Sequence, residues 1–168
     1  GPLRPSSGSS EKRGDSYSPY EPEITGLPVL VQVDSTPGDC SGIASWIEPD
    51  ANDCSGILSL DPSQASGTIF PVGSTEVTYT ATDGSGNVST ASFTVQVDDV
   101  ESPLILGTSG HIQVSTDAGL CTAVVDWVQE TSSDNCSVEE HVSSHMPGDT
   151  FDLGTTVVAV SYTHLTLP

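Results

Sequence analysis

Apolar and polar residues alternate along two neighbouring runs of the chain. Val77, Tyr79 and Ala81 alternate with Thr78, Thr80 and Thr82, and Ala91, Phe93, Val95 and Val97 alternate with Ser92, Thr94 and Gln96. A period of two predicts strands with one buried face. Asp83-Gly84-Ser85-Gly86-Asn87 separates the runs and is a strong turn signal, so the pair predicts an antiparallel hairpin. No segment shows a convincing 3.6-residue apolar period. Short runs bounded by Gly, Pro, Asn, Asp and Ser predict an all-β chain, with an immunoglobulin-like antiparallel sandwich as the leading architecture.

The pattern occurs twice. A shift of 81 pairs Pro22 with Pro103, Ile24 with Ile105, Gly26 with Gly107, Val33 with Val114, Gly38 with Gly119, Cys40 with Cys121 and Trp46 with Trp127. Cys54 and Cys136 fall one residue out of step, and the shift of 81 returns at Gly67/Gly148, Phe70/Phe151, Gly73/Gly154 and Val77/Val158. A period this long suits an array of domains rather than a solenoid. The expected organisation is a flexible Ser/Pro/Gly-rich leader over 1–20, a first β-sandwich over 21–99 and a second over 100–161. The second is expected to be truncated at its C-terminal strand, with 162–168 as a tail outside the repeat that reads as an artefact. Asp98 to Pro103 form the junction.

Charge narrows the partners. The chain has 168 residues, three of them basic (Arg4, Lys12 and Arg13), against 23 carboxylates, for a net charge of -20. Such a surface repels phosphate backbones and anionic headgroups, which argues against nucleic-acid binding and electrostatic membrane attachment. Cations, calcium among them, and basic proteins remain plausible partners; the alternative is that the acidity serves solubility. No run approaches the ~20 apolar residues of a membrane-spanning helix, so no direct membrane insertion is expected of this segment.

Four cysteines suggest an oxidising compartment, and their spacing suggests two local pairs, Cys40 with Cys54 and Cys121 with Cys136. A regular strand places Cys40, Gly42, Ala44 and Trp46 on one face, and Cys121, Ala123, Val125 and Trp127 likewise, so sulfur and indole are expected to share a core. Closing a loop of about fifteen residues is worth roughly 3 kcal/mol in the chain-entropy model.

Several strings then carry a resemblance. The first copy holds Cys40, Trp46-Ile47-Glu48-Pro49, Asn52-Asp53-Cys54, Phe70-Pro71-Val72-Gly73-Ser74-Thr75, Val77-Thr78-Tyr79-Thr80-Ala81-Thr82-Asp83, Gly86-Asn87 and Ser92-Phe93-Thr94-Val95. The second holds Thr116-Asp117-Ala118-Gly119, Cys121, Ala123-Val124-Val125, Trp127, Asp134-Asn135-Cys136 and Phe151-Asp152-Leu153-Gly154-Thr155-Thr156-Val157. From Pro22 to Ser161 the chain resembles the hyalin repeat, or HYR domain, an immunoglobulin-like extracellular module. The resemblance implies a non-catalytic structural or interaction module of cell adhesion or extracellular matrix, outside the cell. Its implied partners are extracellular proteins or glycans, including other matrix repeats. A recognition module of an immune, complement-like or receptor protein is the alternative. The resemblance implies no catalytic residue and no required cofactor; it suggests a link to calcium without localising it.

The candidate sites are few. Arg13-Gly14-Asp15 matches the tripeptide read by integrins, set against a solvated linker. The junction carboxylates Asp98, Asp99 and Glu101 are placed to bind calcium between copies, set against an ordinary acidic linker. Asn87 and Asn135 fit the N-glycosylation pattern, with Asn87 the better placed in its turn. His141 and His145 share the spacing of zinc ligands but read better as a surface pair.

Overall fold

The computed structural model describes residues 17–164, and among them it contains strands and no helix. The chain separates into two compact units. One gathers the chain up to Val29 with Trp46–Ser66 and Glu76–Phe93; the other gathers Leu30–Ser45, Gly67–Thr75 and the chain from Thr94 onward.

In the first unit, β1 (Glu23–Thr25) pairs antiparallel with β4 (Asp50–Asn52), and β5 (Ile57–Pro62) pairs antiparallel with the end of β7 (Gly73–Asp83). The predicted alternation appears directly, since Val77, Tyr79 and Ala81 are at most 1% exposed and their threonine neighbours are not buried. The Trp46 ring meets Phe93 edge-on at 5.0 Å, and Tyr79 stacks on Phe93 at 6.5 Å. This aromatic cluster is the unit's core. Beyond β7 the turn closes as expected: Asp83 N–H donates to the Asn87 carbonyl at 3.0 Å, Gly86 takes φ +90°, and β8 (Val88–Asp98) begins.

In the second unit, β2 (Leu30–Asp34) runs parallel to the end of β8, with Leu30 opposite Thr94 and Asp34 opposite Asp98. Strand β3 (Ser41–Ala44) pairs antiparallel with β6 (Thr68–Pro71). Ala44, Phe70, Val95 and Val97 are buried here. Gly42 is required by a close approach, because a Cβ there would lie 2.7 Å from the Asp34 carbonyl and 3.0 Å from the Val97 side chain.

The same unit holds β9 (Leu104–Leu106) against β11 (Thr131–Ser133), β10 (Thr122–Val124) against β13 (Thr150–Asp152), and β12 (Val138–Ser143) against β14 (Val160–His164). Their registers repeat the earlier ones at the sequence shift of 81. Gly42 opposite Phe70 becomes Ala123 opposite Phe151, and Ile24 opposite Ala51 becomes Ile105 opposite Ser132. Even the irregularity between Ile57 and Ser59 returns between Val138 and Glu140. This corrects the expectation that the repeat stops at Ser161. Tyr162, Thr163 and His164 pair in the register of Ala81, Thr82 and Asp83, because backbone pairing tolerates a change of side chains that hides the repeat in the sequence. Leu165 to Pro168 lie outside the described residues.

Candidate functional site

The chemistry gathers where the two copies of the sequence repeat meet, wholly inside the second unit. A tight turn precedes β3: Asp39 N–H donates to the Thr36 carbonyl at 2.9 Å, Thr36 N–H to the Ser41 carbonyl at 2.7 Å, and Gly38 takes φ +82°. Cys40 leaves this turn exposed, before the strand alternation begins at Ser41, so the expectation that it faces the core with Trp46 is corrected. Gly42 and Ala44 do turn inward as expected, and Trp46 is half-buried.

The expected pairing of Cys40 with Cys54 and Cys121 with Cys136 is also corrected. The structure joins Cys40 to Cys136, 96 residues on, with Cα atoms 4.7 Å apart, and leaves Cys54 and Cys121 as exposed thiols. The reason lies in the adjoining backbone. The Asn135 side-chain amide donates to the Asp39 carbonyl at 3.0 Å, so the residues before both cysteines are already tied together. A loop of about 100 residues closed this way contributes roughly 4.7 kcal/mol in the chain-entropy model, more than a local pair.

Beside the disulfide, oxygen atoms converge. Asp99 is 7% exposed; its Oδ1 accepts from Glu101 N–H at 3.2 Å and from Asn135 Nδ2 at 3.3 Å. Asp134 Oδ1 accepts from Cys136 N–H at 3.0 Å. The remaining oxygens, Asp99 Oδ2, Asp134 Oδ2 and Asn135 Oδ1, are buried without any hydrogen-bond partner. Donor atoms of Asp99, Asp134 and Cys136 lie within 4.8 Å of one another. The two clustered carboxylates are hard oxygen donors, the chemistry that suits calcium, whereas the Cys136 sulfur is consumed by its bond. Each buried acceptor left unmatched costs about 1–3 kcal/mol, a cost that a cation between the Asp99 and Asp134 carboxylates would offset.

Of the three junction carboxylates singled out in the sequence, Asp99 belongs to this cluster. Asp98 is held instead by Gln96 Nε2 at 3.0 Å and Gln32 Nε2 at 2.5 Å, and Glu101 accepts from Gly38 N–H at 2.5 Å. Asp134 and Asn135 were missed as oxygen donors. Their signal was present in the Asp134-Asn135-Cys136 string, legible as a repeat motif but not as one side of a cluster.

The other candidates fall elsewhere. The Asn87 amide donates to the Ser18 and Tyr20 carbonyls at 2.8 and 2.9 Å and to Asp83 Oδ2 at 2.8 Å, and Asn135 Nδ2 is engaged as described. A sugar on either nitrogen would displace hydrogen bonds that hold the local fold. Burial alone would raise the Asp83 carboxyl, but hydrogen bonds from the Asn87 side chain and N–H, and from Ser85 N–H, hold it below the usual range. His141 stacks on Tyr162 at 4.5 Å, and His145 packs near Phe151 at 4.9 Å, each ring thus taken up in an aromatic contact. Arg13, Gly14 and Asp15 lie outside the described residues. A cleft of about 470 Å³ is lined by Ala123, Val125, Trp127, Phe151 and Val158, the counterparts of Gly42, Ala44, Trp46, Phe70 and Val77, so its walls are the interior face of a sandwich.

Comparison with known proteins fits this arrangement. The HYR domain family model matches residues 23–97, which span the strands from β1 to nearly the end of β8. Residues 23–97 are a HYR domain. Hyalin of Strongylocentrotus purpuratus is 38% identical over 121 residues, and hyalin of Lytechinus variegatus is 36% identical over the same length; each match covers 70% of this chain. The sushi, von Willebrand factor type A, EGF and pentraxin domain-containing protein 1 of Rattus norvegicus is 36% identical over 124 residues. The matches span 10%, 23% and 3% of these relatives' own lengths, so this chain corresponds to a small part of each. No solved structure matches.

Proposed function

We propose that this chain is a non-catalytic extracellular module of an adhesive or matrix protein, in which successive HYR repeats are locked at their junction by a disulfide and a calcium ion. The single observation that carries the reading is the pairing of Cys40 with Cys136 beside the three unpartnered oxygens of Asp99, Asp134 and Asn135. Asp99 would supply a carboxylate from the linker, and Asp134 and Asn135 a carboxylate and a carbonyl from the second copy. Calcium there would neutralise like charges in a chain of net charge -20 and tie the linker to the following repeat. The kinship with hyalin supports the extracellular setting, and so does the disulfide, which persists in oxidising compartments.

The test is thermal melting in 10 mM calcium and in chelator. Extracellular calcium sites bind with Kd of about 0.1–1 mM, so saturation should raise the melting temperature by roughly 3–10 °C. Asp134→Asn should abolish the increment, and an unchanged melting temperature in the parent chain would remove calcium from the reading.

A second reading, a recognition module within a receptor-like or complement-like protein, rests on the rat relative, whose name joins sushi, von Willebrand factor type A, EGF and pentraxin domains. A glycan or protein array probed with calcium-loaded chain separates the two. Selective capture of one ligand class favours recognition, and capture of HYR repeats alone favours matrix assembly.

A further inference from the structure

The disulfide obeys a rule that the sequence repeat makes transferable. Cys40 is the first cysteine of its copy and Cys136 the second cysteine of the next, because the repeat matches Cys40 to Cys121 and Cys54 to Cys136. The two free thiols are therefore the complementary halves of the same rule. Cys121 is a first cysteine and Cys54 a second cysteine, and the copies that would hold their partners by this rule lie outside residues 1–168.

The local frames agree with this assignment. Cys121 sits in a turn like that of Cys40: Leu120 N–H donates to the Asp117 carbonyl at 3.0 Å, Asp117 N–H to the Thr122 carbonyl at 2.8 Å, and Gly119 takes φ +78°. The Cys40 carbonyl accepts from Val72 N–H at 3.3 Å, and the Cys121 carbonyl from Leu153 N–H at 2.9 Å. On the other side, the residue before Cys136 contacts the linker through Asn135 and Asp99. The residue before Cys54 also meets the segment ahead of its own repeat, with the direction reversed: the Ser18 hydroxyl donates to Asp53 Oδ2 at 3.1 Å, and Asp53 has no side-chain amide to repeat the Asn135 bond to a preceding turn. Ser18 and Asp99, separated by the repeat shift of 81, are both buried. Cys121 is thus presented as Cys40 is, Cys54 follows a residue tied to the segment before its repeat, and both free thiols are exposed.

We infer that Cys121 and Cys54 are the donor and acceptor ends of a head-to-tail disulfide: Cys121 bonds the second cysteine of a following HYR repeat, and Cys54 the first cysteine of a preceding one. A second copy of this chain presents the same pair. The contact is heterologous, so it propagates instead of closing. In the presence of a low-molecular-weight disulfide such as oxidised glutathione, the Cys121 thiolate attacks one glutathione sulfur and expels the other as thiolate. The Cys54 thiolate of the neighbouring chain then attacks the Cys121 sulfur of the mixed disulfide and expels the second glutathione. Two protein thiols are oxidised to one disulfide, and one glutathione disulfide is reduced to two thiols.

The test uses the whole chain in a glutathione redox buffer, with Cys54→Ser and Cys121→Ser each alone and mixed at equal concentration, read by non-reducing electrophoresis and peptide mass spectrometry. The parent should form a ladder of covalent oligomers whose new bond is Cys121 to Cys54, with Cys40–Cys136 kept in every rung. Each variant alone should remain at least tenfold poorer in dimer than the mixture, which should yield a one-to-one dimer and stop there. Iodoacetamide on freshly folded monomer checks the premise without association: it should label Cys54 and Cys121 and spare Cys40 and Cys136. Recovery of Cys40–Cys54 and Cys121–Cys136 bonds would overturn the inference, as would dimers of a single variant equal in yield to the mixture or a parent that stays monomeric.

Discussion

The Trp46 indole N–H donates to the Tyr79 hydroxyl at 2.8 Å, and that hydroxyl in turn donates to Glu48 Oε2. The relay satisfies the polar ends of two rings whose bodies form the aromatic cluster with Phe93, and it explains why tryptophan and tyrosine stand there instead of two phenylalanines.

Removing the hydroxyl should therefore cost more than its size suggests. Tyr79→Phe leaves the indole N–H without this acceptor and is expected to destabilise the chain by about 1–3 kcal/mol in urea unfolding, with an unchanged denaturant slope. Burial, then the hydrogen bond to Glu48, raises the Tyr79 hydroxyl above its ordinary value, against the opposing bond from Trp46. Its contribution is thus complete at neutral pH and fades only in alkali, as pH rises through the raised value.

Acid should act through two aspartates. Hydrogen bonds from the Ser55 hydroxyl and N–H hold Asp53 below its ordinary value against burial, and Asp83 is held low by Asn87 and Ser85 despite its own burial. A depressed folded value gives stability that is present above the unfolded pKa of about 3.9 and lost as pH falls through the folded one. Melting temperature should fall steeply below about pH 4. Asp83→Asn should lower it at pH 7 and flatten the acid limb; an acid limb as steep as the parent's would count against this assignment.

Cys40→Ser should be costly and Cys54→Ser nearly neutral for stability. Loss of the Cys40–Cys136 bond is expected to remove roughly 2–5 kcal/mol, whereas an exposed thiol contributes little. Calorimetry of the two variants checks the contrast, and equal losses would restore the local pairing.

Gly42→Ala should destabilise by about 1–3 kcal/mol, because the added methyl meets backbone at the Asp34 carbonyl and cannot be relieved by rotating a side chain. Equilibrium unfolding measures it directly. Ala123, at the matching place in the other copy, makes the substitution a natural comparison.

How legible the fold was depended on how local its causes are. The hairpin from Val77 to Val97 could be read from alternation and one turn, because a strand's face is set by residues two apart; burial follows at Val77, Tyr79, Ala81, Phe93, Val95 and Val97, while Gln96 is buried against the pattern and Ala91 only half-buried. The repeat was likewise legible through its glycines: Gly26 and Gly107, Gly38 and Gly119, and Gly67 and Gly148 share positive φ. The junction was not. Asp99 could be singled out as an acidic linker residue, but Asp134 and Asn135 reach it from 35 and 36 residues away, through a turn whose direction no local pattern specifies. Cysteine spacing misled for the same reason: proximity in sequence favoured Cys54 for Cys40, while a hydrogen bond from Asn135 to Asp39 delivered Cys136.

The bond between Cys40 and Cys136 decides how such a module bears tension. Pulling the chain from its two ends sends the load from Cys40 straight across the sulfurs to Cys136, so every strand from β3 (Ser41–Ala44) to β11 (Thr131–Ser133) lies off the covalent load path and is shielded from extension until that bond is reduced.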